Sequence, residues 1–188
     1  VKVDGSYTDF SQGALTPTNN PLDLALFGKG FFEVLTPHGV RYTRKGNFAI
    51  SKEGELVTAQ GYKLLGQINT DEQQEESPNA NPIEDRIIKI PSNLKISISK
   101  EGDIFNKDGN LGKISVVEFN DPHALKKQGH SLYINNAQEN LKNEAIKTTV
   151  NQGFIEGSNV NAIKEMSELI NAHRHFENIQ KAISTYDQ

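Results

Sequence analysis

The sequence predicts a mainly β protein: a hairpin-rich β domain followed by one long C-terminal α-helix. Two observations predict it. Up to about Val150 the chain is a succession of short apolar runs broken by Gly, Asn, Pro and Asp, the punctuation of an all-β domain with tight connections. From Asn159 to Tyr186 there is neither Gly nor Pro, and apolar residues recur at steps of three and four.

The β part can be read in order. Asn20, Pro21 and Asp23 combine turn formers with an X-Pro bond and lead into an apolar strand over Leu24–Phe27. Gly28-Lys29-Gly30 is expected to reverse the chain tightly into a second strand, Phe31–Leu35. Tyr42 to Phe48, with Arg44 and Gly46 in its middle, reads as strand, turn and strand. Gly61 opens the next strand, so the whole resembles a β-meander around glycine turns and aromatic core positions. Leu94, Ile96 and Ile98 alternate with Lys95, Ser97 and Ser99 in the period of a half-buried strand, and Ile114–Phe119 is dense enough to be a central one. One phrase occurs twice: Ile50-Ser51-Lys52-Glu53-Gly54-Glu55-Leu56 is echoed by Ile98-Ser99-Lys100-Glu101-Gly102-Asp103-Ile104. Both copies read as hairpin turns closed by Gly54 and Gly102.

Ser158 is the expected cap of the helix, with Asn159 beside it. Leu169, Ala172, Phe176, Ile179, Ile183 and Tyr186 form a heptad-like seam, and Met166 and Ile170 widen it. Periodicity leaves two readings open: a helix lying across its own sheet, or one that leaves the domain to join other helices. The expected division is a β domain over 1–157 and a helix over 158–188.

Composition narrows the function classes. The 188 residues are 35% hydrophobic and 23% charged, so the chain can bury a core. Cysteine is absent, which excludes disulfides and thiolate metal sites. The net charge of −4 has one source: residues 71–85 hold six acids and no base, and setting these aside leaves 18 acids against 20 bases. No basic stripe exists to neutralise phosphates, so nucleic acid is not an expected partner. No apolar stretch approaches the roughly 18 residues that suggest a membrane span, so membrane insertion is not expected. Residues 69–85, with Pro78 and Pro82, are expected to be a mobile acidic surface loop, since they lack the ligand spacing of a calcium loop. The first residue is Val1, so the sequence is expected to be a piece of a longer chain.

Catalytic constellations are thin. His173 and His175 lie two apart on a helix, about 200° around it, so they cannot share a metal. Gly28-Lys29-Gly30 lacks the remaining residues of a phosphate loop, and no Gly-x-Ser-x-Gly elbow exists. No catalytic, cofactor-binding or metal-ligating residue is expected, and no cofactor. Two readings stay open on the residues: an enzyme acting on glycan through some of its many carboxylates, and a docking module with the acidic loop as its site.

Two blocks of sequence carry a resemblance. The first runs from Gln12-Gly13-Ala14-Leu15-Thr16-Pro17-Thr18 through Asn20-Pro21-Leu22-Asp23-Leu24-Ala25. It continues through Gly28, Gly30-Phe31-Phe32, Tyr42-Thr43-Arg44, Gly46-Asn47-Phe48 and Gly54-Glu55-Leu56-Val57-Thr58 to Gly61-Tyr62. The second is Gln152-Gly153-Phe154-Ile155-Glu156-Gly157-Ser158-Asn159-Val160-Asn161, followed by Glu165-Met166, Ile170, Arg174 and Phe176-Glu177. In this order they resemble the flagellar hook–basal body family, which includes the rod proteins FlgF and FlgG and the hook protein. Val116 to Pro122, with Leu125, Gly129 and Leu132-Tyr133, look more like FlgF, the proximal rod. Ala182 to Thr185 look closer to FlgG, and the balance leans to FlgF.

The resemblance implies a β-rich outer domain and N- and C-terminal helices that pack together in the wall of a tube, the N-terminal one lying outside this sequence. It implies export by the flagellar type III route, a periplasmic place in the basal body, and a non-catalytic function in transmitting torque to the hook. The implied partners are copies of itself and other rod or hook subunits, with ring proteins and peptidoglycan met in passing. The seam from Met166 to Tyr186 would then be the assembly interface, and Asn20, Asp23, Arg44 and Asn159 would tie turns or subunits together.

Overall fold

The computed structural model describes residues 8–67, 83–91 and 95–186. They fall into two compact units that part between Gly157 and Ser158. The acidic segment expected over 69–85 lies outside the described residues except for its end, where Glu84–Arg86 form a single 3-10 turn. Leu94, expected to begin a strand, also lies outside them.

The first half of the β unit contains β1 (Leu15–Pro17), β2 (Leu24–Phe27), β3 (Phe31–Thr36), β4 (Gly39–Thr43), β5 (Phe48–Ile50), β6 (Leu56–Thr58) and β7 (Lys63–Leu64). The second half contains β8 (Ser97–Ile98), β9 (Asp103–Asn106), β10 (Gly109–Lys113), β11 (Val116–Phe119), β12 (Lys126–Gly129), β13 (Leu132–Ile134), β14 (Lys142–Glu144), β15 (Thr149–Gln152) and β16 (Phe154–Glu156). Among the described residues the principal sheet has the order β12-β13-β4-β3-β7-β6-β5, with β11 pairing both β3 and β14.

β3 lies at the centre of this sheet and shows why a continuous apolar run forms a strand here. Phe32 and Val34 face one way into the larger core, with Leu24, Leu26, Phe48, Leu56, Leu64, Ile104, Ile114 and Val150. Phe31 points the other way into a smaller aromatic cluster with Val117, Phe119 and Leu125. Both faces are covered, so the period-2 alternation of a half-exposed strand disappears. In the smaller cluster the rings meet edge to face, Phe31 against Phe119 at 6.0 Å and Tyr42 against Phe119 at 4.7 Å.

Two expectations are corrected. Gly28-Lys29-Gly30 is no hairpin reversal: β2 pairs with β15 and β3 belongs to the principal sheet, so the chain switches sheets there. Thr148 explains the glycines. A β-carbon on Gly30 would stand 2.9 Å from its methyl group, and the Gly30 amide donates to its hydroxyl at 3.0 Å. The simple meander also fails as a whole. It holds for β3-β4, β5-β6-β7, β8-β9-β10 and β12-β13, whereas β2, β11 and β15 find partners remote in sequence.

The echoed phrase folds twice into one turn. The Ser51 amide donates to the Glu55 carbonyl at 2.8 Å, and the Ser99 amide to that of Asp103 at 2.9 Å. The Ser51 hydroxyl accepts from the amides of Glu53 and Glu55, and the Ser99 hydroxyl from those of Glu101 and Asp103. Gly54 and Gly102 take φ of +79° and +91°, a conformation that costs other residues energy. Each glycine carbonyl then accepts from a later backbone amide, Ile90 at 2.7 Å and Ile114 at 2.9 Å. The repetition therefore extends from sequence to turn geometry and to the next hydrogen bond.

Candidate assembly interface and its root

The second unit is the helix α1, Ala162–Tyr186. It starts later than the sequence suggests. The Asn161 side-chain oxygen accepts from the amides of Ile163 and Lys164, so Asn161 is the cap. Ser158, the expected cap, instead accepts from Val160 within the preceding turn. Asn159 stands in that same stretch. The 25 residues give a rod about 37 Å long at roughly 1.5 Å per residue. Exposed i,i+4 pairs, Lys164–Glu168 at 3.8 Å and His173–Glu177 at 3.5 Å, add modest support.

Every described side chain from Ala162 to Ile183 is exposed. The apolar ones form two columns at seven-residue steps, Leu169-Phe176-Ile183 and Ala172-Ile179-Tyr186. Tyr186 lies within the helix, but its side chain is outside the described set. Met166, Leu169, Ile170, Phe176, Ile179 and Ile183 are 51–72% exposed. Ile163 at 79% and Val160 at 62% extend the apolar surface towards the β unit in sequence, and the periodicity reading missed both. Contiguous exposed apolar patches are the kind of surface that proteins use for interaction.

The β unit feeds this helix through a two-stranded ribbon of β1 and β16. Here the structure gives Arg44 its partners. Its Nε and Nη2 donate to the two Glu156 carboxylate oxygens at 2.9 and 3.0 Å. Nη1 donates to the carbonyls of Gly28 and Gly30 at 2.9 and 3.0 Å, and Nη2 also to Gln12 Oε1 at 3.2 Å. All five guanidinium donors are thus engaged. The guanidinium also lies 5.8 Å from the centre of the Phe31 ring. Gln12 donates to Leu26 O and Glu156 Oε1, and the Gly13 amide donates to the same Glu156 oxygen at 3.0 Å. The sequence reading singled out Arg44 but not Gln12 or Glu156. Both occur in the quoted motifs, and nothing in their spacing shows that they meet.

The other turn residues act within the β unit. Asn20 Oδ1 accepts from the Leu22 amide at 3.2 Å, and the Pro21 carbonyl accepts from Gln152 Nε2 at 2.9 Å. Asp23 is buried and accepts from Asn47 Nδ2 at 3.2 Å. Gly46 is required by close approach, since a β-carbon there would stand 1.6 Å from the Leu24 carbonyl oxygen. Gly61 takes a φ of +83° with open space around it.

Away from the ribbon, Glu33 carries a buried charge at the centre of β3. Its carboxylate binds Arg86 and accepts from Lys142 Nζ at 2.9 Å and Ser115 Oγ at 2.6 Å. Burial opposes its ionisation, but the hydrogen bonds from Ser115 and Lys142 and the charges of Lys142 and Arg86 outweigh that. They hold Glu33 below its ordinary value of 4.5. Among the described residues no group of three or more His, Asp and Glu could hold a metal ion. No described helix is long and apolar enough to cross a membrane.

The profile described as "Flagellar hook protein FlgE/F/G D1 domain" matches residues 25–106, within the β unit. That described as "Flagellar basal body rod FlgEFG protein C-terminal" matches 151–188, from β15 through the helix. Among similar proteins is the flagellar basal-body rod protein FlgG of Caulobacter vibrioides, 34% identical over all of this chain and 69% of its own length. The chain belongs to the FlgE/F/G family of flagellar hook and basal-body rod proteins.

FlgG of Borreliella burgdorferi is 33% identical over all of this chain and 69% of its own length. FlgF of Caulobacter vibrioides is 32% identical over 96% of this chain and 67% of its own length. The chain thus spans about two thirds of the length of these family members. The two members from one organism, one of each kind, match almost equally, so the leaning to FlgF gains no support over FlgG. In FlgE/F/G terms, the C-terminal profile covers Glu156, Asn161 and the whole exposed apolar stripe.

Proposed function

We propose that this chain is a structural subunit of the flagellar basal-body rod and that it polymerises through the apolar stripe of α1. The observation that carries this reading is the stripe itself: Leu169, Phe176, Ile179 and Ile183 stand more than half exposed on the segment matched by the rod C-terminal profile. Their burial between neighbouring subunits would contribute about 1.5–3 kcal/mol each, before the costs of ordering are subtracted. Contacts of one subunit face with a different face of the next do not close, and they build a helical tube. Stiffness of that tube is the function, since a rod transmits torque from motor to hook.

The partners on this reading are other copies of the chain and neighbouring rod or hook subunits, with ring proteins and peptidoglycan met as the rod crosses the wall. The place is the periplasmic basal body, reached through the flagellar type III pathway. Val116 to Pro122 support a FlgF-like position in the proximal rod.

Ile179→Asp in the full-length protein tests the interface. The expected result is a β unit with unchanged melting and a cell that completes no rod and does not swim. Normal swimming by this mutant overturns the reading.

A further inference from the structure

On the polymerisation reading, load carried along the chain between the β unit and α1 has to cross one ribbon. The ribbon pairs Leu15–Pro17 with Phe154–Glu156, and only residues 157–161 separate it from the start of α1. A two-stranded ribbon by itself is marginally stable and would bend. This one is fastened at three levels. At its base the Thr18 amide donates to the Gly153 carbonyl at 2.8 Å. At its tip the Gly157 amide donates to the Ala14 carbonyl at 2.8 Å, and the strands come so close there that a β-carbon on Gly13 would stand 2.0 Å from Gly157 O. Against the body of the domain it is held by the Glu156 carboxylate, which takes hydrogen bonds from Gln12, Gly13 and Arg44. The Arg44–Glu156 pair is largely withdrawn from water, at 14% and 9% side-chain exposure. Arg44 in turn grips the carbonyls of Gly28 and Gly30, the point where the chain switches sheets.

We propose that Arg44, Glu156 and Gln12 form a clamp that locks this ribbon, the segment through which the chain leaves for α1, onto the β domain. The three are positioning residues, because each acts on the direction of the chain and none belongs to the apolar stripe. A guanidinium suits the task where an ammonium would not. Its planar fork serves a carboxylate on one edge and two backbone carbonyls on another, which a point charge cannot do. The inference rests on the polymerisation reading for its purpose, but not for its geometry.

Hydrogen exchange on the 188-residue chain tests the geometry. In Glu156→Gln the amides of Thr18 and Gly157 are expected to exchange at least tenfold faster, while those of Val34 and Leu56 in the principal sheet change by less than threefold. Unchanged exchange in the ribbon overturns the clamp, and so does an equal rise at all four positions. If Glu156→Gln does not fold, Gln12→Ala must reproduce the selective loosening with the ion pair in place; uniform or absent loosening then overturns the proposal. In cells, the full-length Arg44→Lys protein is expected to assemble yet to lose swimming speed steeply in viscous medium. Full speed under that load overturns the mechanical role. Ile179→Asp separates the two ideas, since normal assembly of that variant sinks polymerisation through the stripe and leaves the exchange result standing.

Discussion

Glu33 sits at 1% side-chain exposure with partners from three remote places, Arg86, Ser115 and Lys142. Removing the Glu33 charge would leave Arg86, at 15% side-chain exposure, without its counter-charge, while Lys142, at 41%, could turn to water. Glu33→Gln is therefore expected to destabilise the β unit by about 3 kcal/mol, measured by denaturant unfolding. The acid limb carries the same information. Because folding lowers the affinity of Glu33 for its proton, its contribution is complete above its ordinary value of 4.5 and is lost as pH falls through the lower folded value. The wild type should lose stability over that window, and the variant should lack this part of the slope. Gly46 shows the opposite kind of constraint, purely steric. Gly46→Ala drives a methyl group into the Leu24 carbonyl and should abolish soluble folded protein, whereas Gly61→Ala meets no atom and should cost about 1–2 kcal/mol through its positive φ alone. Thermal melts of the two variants distinguish clash from conformational strain.

Among the elements, the twin turns offer an internal control. Ser51 and Ser99 make the same pair of hydrogen bonds in the same geometry, 48 residues apart. Ser51→Ala and Ser99→Ala are each expected to cost about 1 kcal/mol, and the double variant close to their sum, since the turns share no partner. A cost confined to one turn in urea titrations would show that the second is held by its surroundings. These turns were legible in the sequence because a turn is a local event: its hydroxyl, its glycine and its strand flanks lie within seven residues. The same holds for the helix, whose period and freedom from Gly and Pro need no distant information. Its cap was misplaced because Ser158 and Asn161 are both competent caps. Only the path of the chain after the ribbon decides which side chain reaches the first turn. The sheet switch after Phe27 was illegible for a related reason. Gly28-Lys29-Gly30 can close a hairpin, but Thr148, more than a hundred residues later, occupies the space. Arg44 was visible as a conspicuous charge, yet its role rests on Gln12 and Glu156, brought to it only by the completed fold.

For the whole molecule, the division at Gly157 has a thermodynamic meaning. The large core lies entirely within the first unit, and every described helix side chain from Ala162 to Ile183 is exposed. Ending the chain after Gly157 should therefore move the melting temperature of the β unit by less than about 4 °C, the equivalent of roughly 1 kcal/mol for a domain of this size. Differential scanning calorimetry of the shortened and complete chains gives the comparison, and a larger drop would mean that the helix stabilises the sheets.

The margins of the principal sheet are also informative. β12 presents Lys126 and Lys127 to water and carries a register irregularity before Gly129, while β5 and β14, at the other margins, are each only three residues long. Open sheet margins invite further strands, and charge, bulges and brevity are how natural proteins refuse them. On the polymerisation reading, a protein crowded with its own copies faces fibril formation as its standing hazard, and blunt margins oppose that route.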